Sequence, residues 1–157
     1  MVQASVKTNQ QMRTLLQQVT YPAKLPMELL DLARSGFESI EGCTVLIGRK
    51  SFAKHVTVKS LGGRTGFESF VNDVRLNDYV DEHHLGCAVW FVREVFGRWK
   101  ATQSHEELHA AVFANEMRVE VRIVMRRDDE PKLLLDDLDS YRDGAIFEVD
   151  SNDNWPF

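Results

Sequence analysis

The sequence predicts an α+β fold in a single domain: a mostly antiparallel sheet, two N-terminal helices and one or two short interior helices. Three observations carry this reading. The chain has 157 residues, one domain's length, and 43% of them are apolar. Near the N-terminus the apolar residues recur at helical spacing. Further along they alternate with period two, and turn residues rather than long linkers separate the runs.

Taken in order, Met12, Leu15, Leu16 and Val19 predict an amphipathic helix over residues 9–19, which Pro22 ends because proline has no N–H to continue the ladder. A second helix should start near Pro26, with Leu29, Leu30 and Ala33 on one face and Gly36 as its stop. Cys43–Ile47 is a short β-branched run that reads as a buried strand. His55–Lys59 reads as another, closed by Gly62-Gly63. Thr65 and Glu68 fit a capping box, and Phe67, Phe70, Val71 and Val74 follow at helical spacing.

Leu85–Trp99 satisfies two patterns. Its apolar residues fit one helical face, yet valine, tryptophan and phenylalanine favour strands, and Gly86 and Gly97 bracket the run. We read it as strands. Ser104 and Glu107 form a second capping box, predicting a helix through Ala114. Met117, Val119, Val121, Ile123 and Met125 alternate with Arg118, Glu120, Arg122, Val124 and Arg126, the pattern of a half-buried strand. Leu133–Leu138 reads as a helix or turn and Ala145–Val149 as a last strand. These elements define a domain over residues 1–149, followed by an acidic tail over residues 150–157.

Composition narrows the function. A net charge of −5 argues against a polybasic coating protein. No apolar window is long enough for a membrane-spanning helix, and Met1–Thr20 lacks the apolar core of a secretion signal. Cys43 and Cys87 are too few for a disulfide framework, so a reduced, cytoplasmic compartment is expected.

His105-Glu106-Glu107-Leu108-His109 has the letters of a zinc-protease helix, in which two histidines one turn apart hold the metal and a glutamate acts as base. It resembles zinc metalloproteases over five residues only. Those enzymes usually carry an apolar residue where Glu107 stands, and Asn115 occupies a place where one subfamily has its third histidine. The capping reading explains Ser104 and Glu107 without a metal. Asp81-Glu82-His83-His84 reads as a solvated turn, because adjacent histidines on an extended strand point to opposite faces. We therefore expect no catalytic residues, no metal and no cofactor.

Charge placement says more. Residues 1–127 carry 17 Lys and Arg against 14 Asp and Glu, whereas residues 128–157 carry two against ten. No acid occurs between Gly42 and Phe67, where Arg49, Lys50, Lys54, Lys59 and Arg64 fall among Phe52 and Phe67. Arg118, Arg122 and Arg126 should share one face of the alternating strand. Arg93, Arg98 and Lys100 lie beside Trp90, Phe91, Phe96 and Trp99. Cations that track a backbone, with aromatics on which bases stack, are what binding to single-stranded nucleic acid requires.

The last eight residues, Asp150-Ser151-Asn152-Asp153-Asn154-Trp155-Pro156-Phe157, place spaced aspartates before Pro-Phe. This resembles the C-terminal peptide of bacterial-type single-stranded DNA-binding proteins. The resemblance implies that Asp150, Asp153, Trp155, Pro156 and Phe157 dock on replication or repair proteins, the phenyl ring in an apolar pocket. It departs from that family in its looser acidic run and in lacking a long linker, and the body does not match that family's nucleotide-binding barrel.

The expected function is accordingly non-enzymatic. The first reading is a single-stranded-DNA-binding or replication-associated protein, with nucleic acid held by Arg49, Lys50, Lys54, Lys59, Arg64, Arg118, Arg122 and Arg126. Self-association into a homo-oligomer is compatible with it. The second is an acidic antagonist, such as an immunity protein or nuclease inhibitor, that offers residues 128–153 (Asp136, Asp137 and Asp139 foremost) to a basic partner.

Overall fold

Period-two alternation and a long apolar helix account for most of the architecture. In the computed structural model, which describes residues 6–153, 155 and 157, the order is β1 (Lys7–Thr8), α1 (Gln10–Gln17), α2 (Met27–Arg34), β2 (Phe37–Ile40), β3 (Cys43–Leu46), α3 (Arg64–Val71), β4 (Asp73–Arg75), α4 (His84–Ala101), β5 (Leu108–Ala114), β6 (Val119–Met125) and β7 (Ala145–Asp150). Runs of 3-10 turns cover Ile47–His55, Lys59–Leu61, Leu76–Asp78 and Leu138–Ser140. The fold is α+β. One antiparallel sheet has the order β1-β7-β5-β6-β4, and β2 and β3 form a separate hairpin.

The apolar row of the alternating strand lies in the core as its pattern requires, but β6 is not half-buried, since Glu120 and Val124 of the other row are buried as well. Val119, Val121, Ile123 and Met125 of β6 are buried with Ala110 and Val112 of β5 and Phe147 and Val149 of β7. Met117, one residue pair before β6, is exposed instead. Against this inner face packs α4, which buries Ala88, Val89, Phe91, Val92, Val95 and Phe96. The expectation of strands over Leu85–Trp99 is thus corrected. Eighteen helical residues with apolar positions three and four apart outweigh the strand preference of valine and tryptophan, because the helix lies in the core and is covered on most sides. Gly86 is required there: a Cβ on it would stand 2.2 Å from the Thr20 carbonyl oxygen. Gly86→Ala should lower the unfolding free energy by about 1–3 kcal/mol through overpacking. An unchanged urea midpoint would show instead that the Thr20–Tyr21 backbone yields freely.

The two N-terminal helices stand close to the expected bounds. Asn9 caps α1 by accepting from the Met12 N–H, and it also bonds to Ile146 N and Gly144 O, which fixes α1 to β7. Three local expectations are corrected. His55–Lys59 is not a strand: Val56 and Val58 join Cys43, Val45, Phe67 and Val71 in a second small core, reached through irregular turns. Thr65 lies inside α3 rather than capping it, and Gly63 precedes the helix with φ +137°. The N-terminal donors of α3 are satisfied by Glu130, which accepts from Arg64 N at 3.3 Å and Thr65 N at 2.9 Å. Ser104 and Glu107 open no helix, because Leu108–Ala114 pairs with both β6 and β7.

The hairpin module is bolted to the sheet through α3. Asn72 accepts from Leu46 N and donates to Thr44 O and Ile123 O. Glu68, with no exposed surface, accepts from Thr44 N, Met125 N and both terminal nitrogens of Arg127. A fully buried carboxylate is retained here because every donor it meets is aimed at it.

Candidate functional site

The hairpin module presents an acid-free stretch of the chain, from Gly42 to Phe67. Between β3 and α3, Ala53, Val56, Val58 and Leu61 pack against the small core, while Lys50, Lys54, His55 and Lys59 point into solvent. Phe52 is 46% exposed, and the Arg49 guanidinium lies over its ring at 3.9 Å. Arg49 is held in that pose by a bond from its Nε to the Val71 carbonyl. Lys50 stands 3.9 Å from Glu38, a pair open to solvent on both sides. Among the described residues, Lys54 and Lys59 have no carboxylate within 4 Å.

The other sequence-predicted cations sit elsewhere. Arg64 is bound to Asp129 and Glu130, so its charge is spent within the chain. Hydrogen bonds from the Thr65 backbone and from Arg64 hold the Glu130 carboxyl down at about 2. Arg118, Arg122 and Arg126 do share the outer face of the sheet, but of the three only Arg118 has no carboxylate within 4 Å among the described residues. Arg122 lies beside Glu120 and over Phe113, and Arg126 is paired with Asp150. Of the aromatics expected to stack on bases, Phe91, Phe96 and Trp99 are buried on α4. Trp90 is half-buried under Arg93, against Tyr21.

The tail is corrected at its boundary. Asp150 is the last residue of β7, and Asp153 turns back to accept from its N–H. Trp155 packs edge-on against Phe96, and Phe157 lies 5.6 Å from Phe147 between ring centroids. These rings complete the chain's own core instead of standing free. Pro156 lies outside the described residues.

His109 is the group that the metal motif misassigned. It sits on β5 rather than a helix, with Nδ1 2.6 Å from Asp150 and Nε2 3.1 Å from Glu148. His105 is exposed in the preceding loop, so no shared helix face exists for the two. Burial opposes the imidazolium, yet Asp150 and Glu148 overcome it and push His109 up to about 9. Among the described residues, Glu107, Asp150 and Asp153 bring carboxylate oxygens within 4.8 Å of one another. A cation there would have to displace Arg126 and His109 from Asp150, so we assign no metal.

The Glu68–Arg127 pair and the His109 group were missed because each joins residues 40 or more apart in the chain, or nearly so, across strands whose pairing the sequence does not state. The only local signal was an acid or a histidine placed among apolar neighbours. The family model that matches this chain spans residues 7–156 and is described as the uncharacterized protein PM0498 family. The chain belongs to that family. No curated protein and no solved structure matches it. No helix among its described residues is long and apolar enough to cross a membrane.

Proposed function

We propose that this member of the PM0498 family is a non-enzymatic, cytoplasmic protein that binds single-stranded nucleic acid through residues 47–61. One observation carries the reading: Arg49, Lys50, Lys54 and Lys59 fall in one run with an exposed phenyl ring, Phe52, under Arg49, and no acid occurs between Gly42 and Phe67. Lysines neutralise phosphates along a backbone, and an exposed ring under a guanidinium offers a face on which any base stacks. The interface is smaller than the eight cations of the sequence reading, since Arg64, Arg122 and Arg126 are committed to carboxylates. Docking of a replication or repair protein on residues 150–157 would require Trp155 and Phe157 to leave Phe96 and Phe147, so the proposal rests on the basic run alone.

The antagonist reading retains one support. Asp128, Asp137 and Asp143 are exposed with no cation within 4 Å among the described residues, whereas Asp136 and Asp139 are paired with Lys132 and Arg13. The two readings separate in one titration. A labelled 20-nucleotide single strand should bind more tightly than the corresponding duplex, and affinity should fall with salt at a log–log slope of about 3 for four phosphate contacts. Absence of binding at low salt, or preference for duplex, would remove this function and leave the acidic surface as the better candidate.

A further inference from the structure

The edge of the sheet brings two carboxyl groups together with no donor between them. In the β4–β6 ladder Asp73 stands opposite Arg122 and Arg75 opposite Glu120, so all four side chains lie on the outer face, with Asp73 and Glu120 on a diagonal. Glu120 is only 6% exposed and Asp73 is half-buried. Glu120 Oε2 and Asp73 Oδ1 are both buried, and neither has a hydrogen-bond partner of ordinary charge state. The two carboxyls lie within hydrogen-bond reach of each other, a contact that needs a proton because two carboxylates can only accept.

The surrounding cations leave this gap open. Arg122 reaches only the other oxygen of Glu120, at 3.4 Å; its Nε is buried without an acceptor, and its guanidinium lies over Phe113. Arg75 is exposed and has no carboxylate within 4 Å among the described residues. From β5 the pair is faced by Ala111 and Phe113, which carry no charge. Tyr141, Arg142 and Asp143 approach Glu120 from the loop ahead of β7, beside Arg118, and Asp78 follows β4 in an exposed turn. On α3, Arg64 is held by Asp129 and Glu130, and Glu68 by Arg127. Nor can the carboxyls simply move apart. Asn72 donates to Ile123 O at one end of β4, and Asn77 accepts from Val119 N at the other, so this three-residue edge strand is pinned to β6 on both sides of the pair. Relief comes from a shared proton or from opening of the strand.

We propose that Asp73 and Glu120 share one proton and form a pH-sensitive latch on the edge strand β4. With the proton bound, the pair holds β4 against β6. With the proton released to solvent, two carboxylates repel across the ladder and β4 opens more often. Burial first, and the Glu120 charge second, push Asp73 up to about 6 from its ordinary 3.8. The closed strand therefore holds the proton more tightly than the opened one. The destabilisation is absent below 3.8, grows with pH and is complete above about 6. A shift of about two units is a factor of about 100 in the opening equilibrium. Asn72 also bonds to Leu46 N and Thr44 O of β3, so each opening loosens the tie between the sheet and the hairpin module. The latch uses no residue of the basic run, and its test is independent of single-strand binding.

Hydrogen exchange of the β4 amides that pair with β6, followed by NMR on the full chain from about pH 4 to about pH 7.5 and divided by the intrinsic rate, tests the latch. In the wild type the opening equilibrium should rise by up to about 100-fold and level off above about pH 6.5. Asp73→Asn offers Glu120 an amide N–H in place of the shared proton. Its opening should match the wild type near pH 4 and stay about 100-fold below it at neutral pH. Glu120→Gln removes the neighbouring charge and should bring the Asp73 titration back toward 3.8. Carboxyl-carbon titration of the wild type needs no variant, and one proton should leave the pair near pH 6. No carboxyl of the pair titrating above about pH 5, or an Asp73→Asn opening curve that rises in parallel with the wild type, would overturn the proposal.

Discussion

Arg127→Ala should lower the unfolding free energy by about 3–5 kcal/mol, a large share of the stability of a domain this size. Glu68 is fully buried, and both terminal guanidinium nitrogens of Arg127 donate to it, at 2.6 and 2.7 Å. Removing the arginine leaves a carboxylate in the interior with only the Thr44 and Met125 N–H groups as partners. The penalty comes from the stranded charge and not from the pair's own worth. Replacing both partners, as Glu68→Gln with Arg127→Leu, should therefore recover part of the loss. Urea unfolding reads this directly. A loss below about 1 kcal/mol for Arg127→Ala would contradict this account of a stranded interior charge. Because Glu68 and Asn72 tie the hairpin module to β6, the single variant should also raise proteolytic cutting within residues 47–61.

The second large effect concerns His109. Its side chain is 13% exposed, and its folded value of about 9 lies above the ordinary 6.5. A raised value means that the folded state holds the proton more tightly than the unfolded state. The stabilisation is therefore fully present below pH 6.5 and lost as pH rises through 9. A shift of this size corresponds to about 3 kcal/mol, most of it present at pH 7. His109→Gln should lose that amount at pH 7, leaving Asp150 and Glu148 with Arg126 as their remaining cation. The difference in stability between wild type and variant should shrink steadily from pH 7 to pH 10. Parallel curves across that window would show that the imidazole is neutral in the fold.

Much of the fold was legible where one pattern dominated. The N-terminal helices announced themselves through Leu15, Leu29 and the neighbouring Pro22 and Pro26, and β6 through its alternation. Failure came where two local rules competed. Leu85–Trp99 has helical spacing and strand-favouring residues, and only the tertiary setting of α4 between the sheet and α2 decides for spacing. Ser104–His109 has capping letters, yet β5 is held as a strand by partners on both sides that lie elsewhere in the sequence.

The candidate site was legible in part for a similar reason. Charge content is local, so the acid-free run from Gly42 to Phe67 could be seen at once. Whether a cation is free is not local. Arg64 meets Asp129 and Glu130 from 65 and 66 residues away, and Arg126 meets Asp150 from 24. The tail likewise kept its acids in view while hiding that Trp155 and Phe157 turn inward.

The most direct test of the central claim is the salt dependence of single-strand binding by the wild type and by Lys54→Ala with Lys59→Ala. Both lysines are exposed, so the double variant should keep the wild-type melting temperature. Its log–log salt slope should be shallower by about 1.4, at about 0.7 for each lost phosphate contact, and its affinity lower for every oligonucleotide sequence alike. An unchanged slope in the double variant, with wild-type affinity retained, would contradict the assignment of residues 47–61 as the surface that holds the strand.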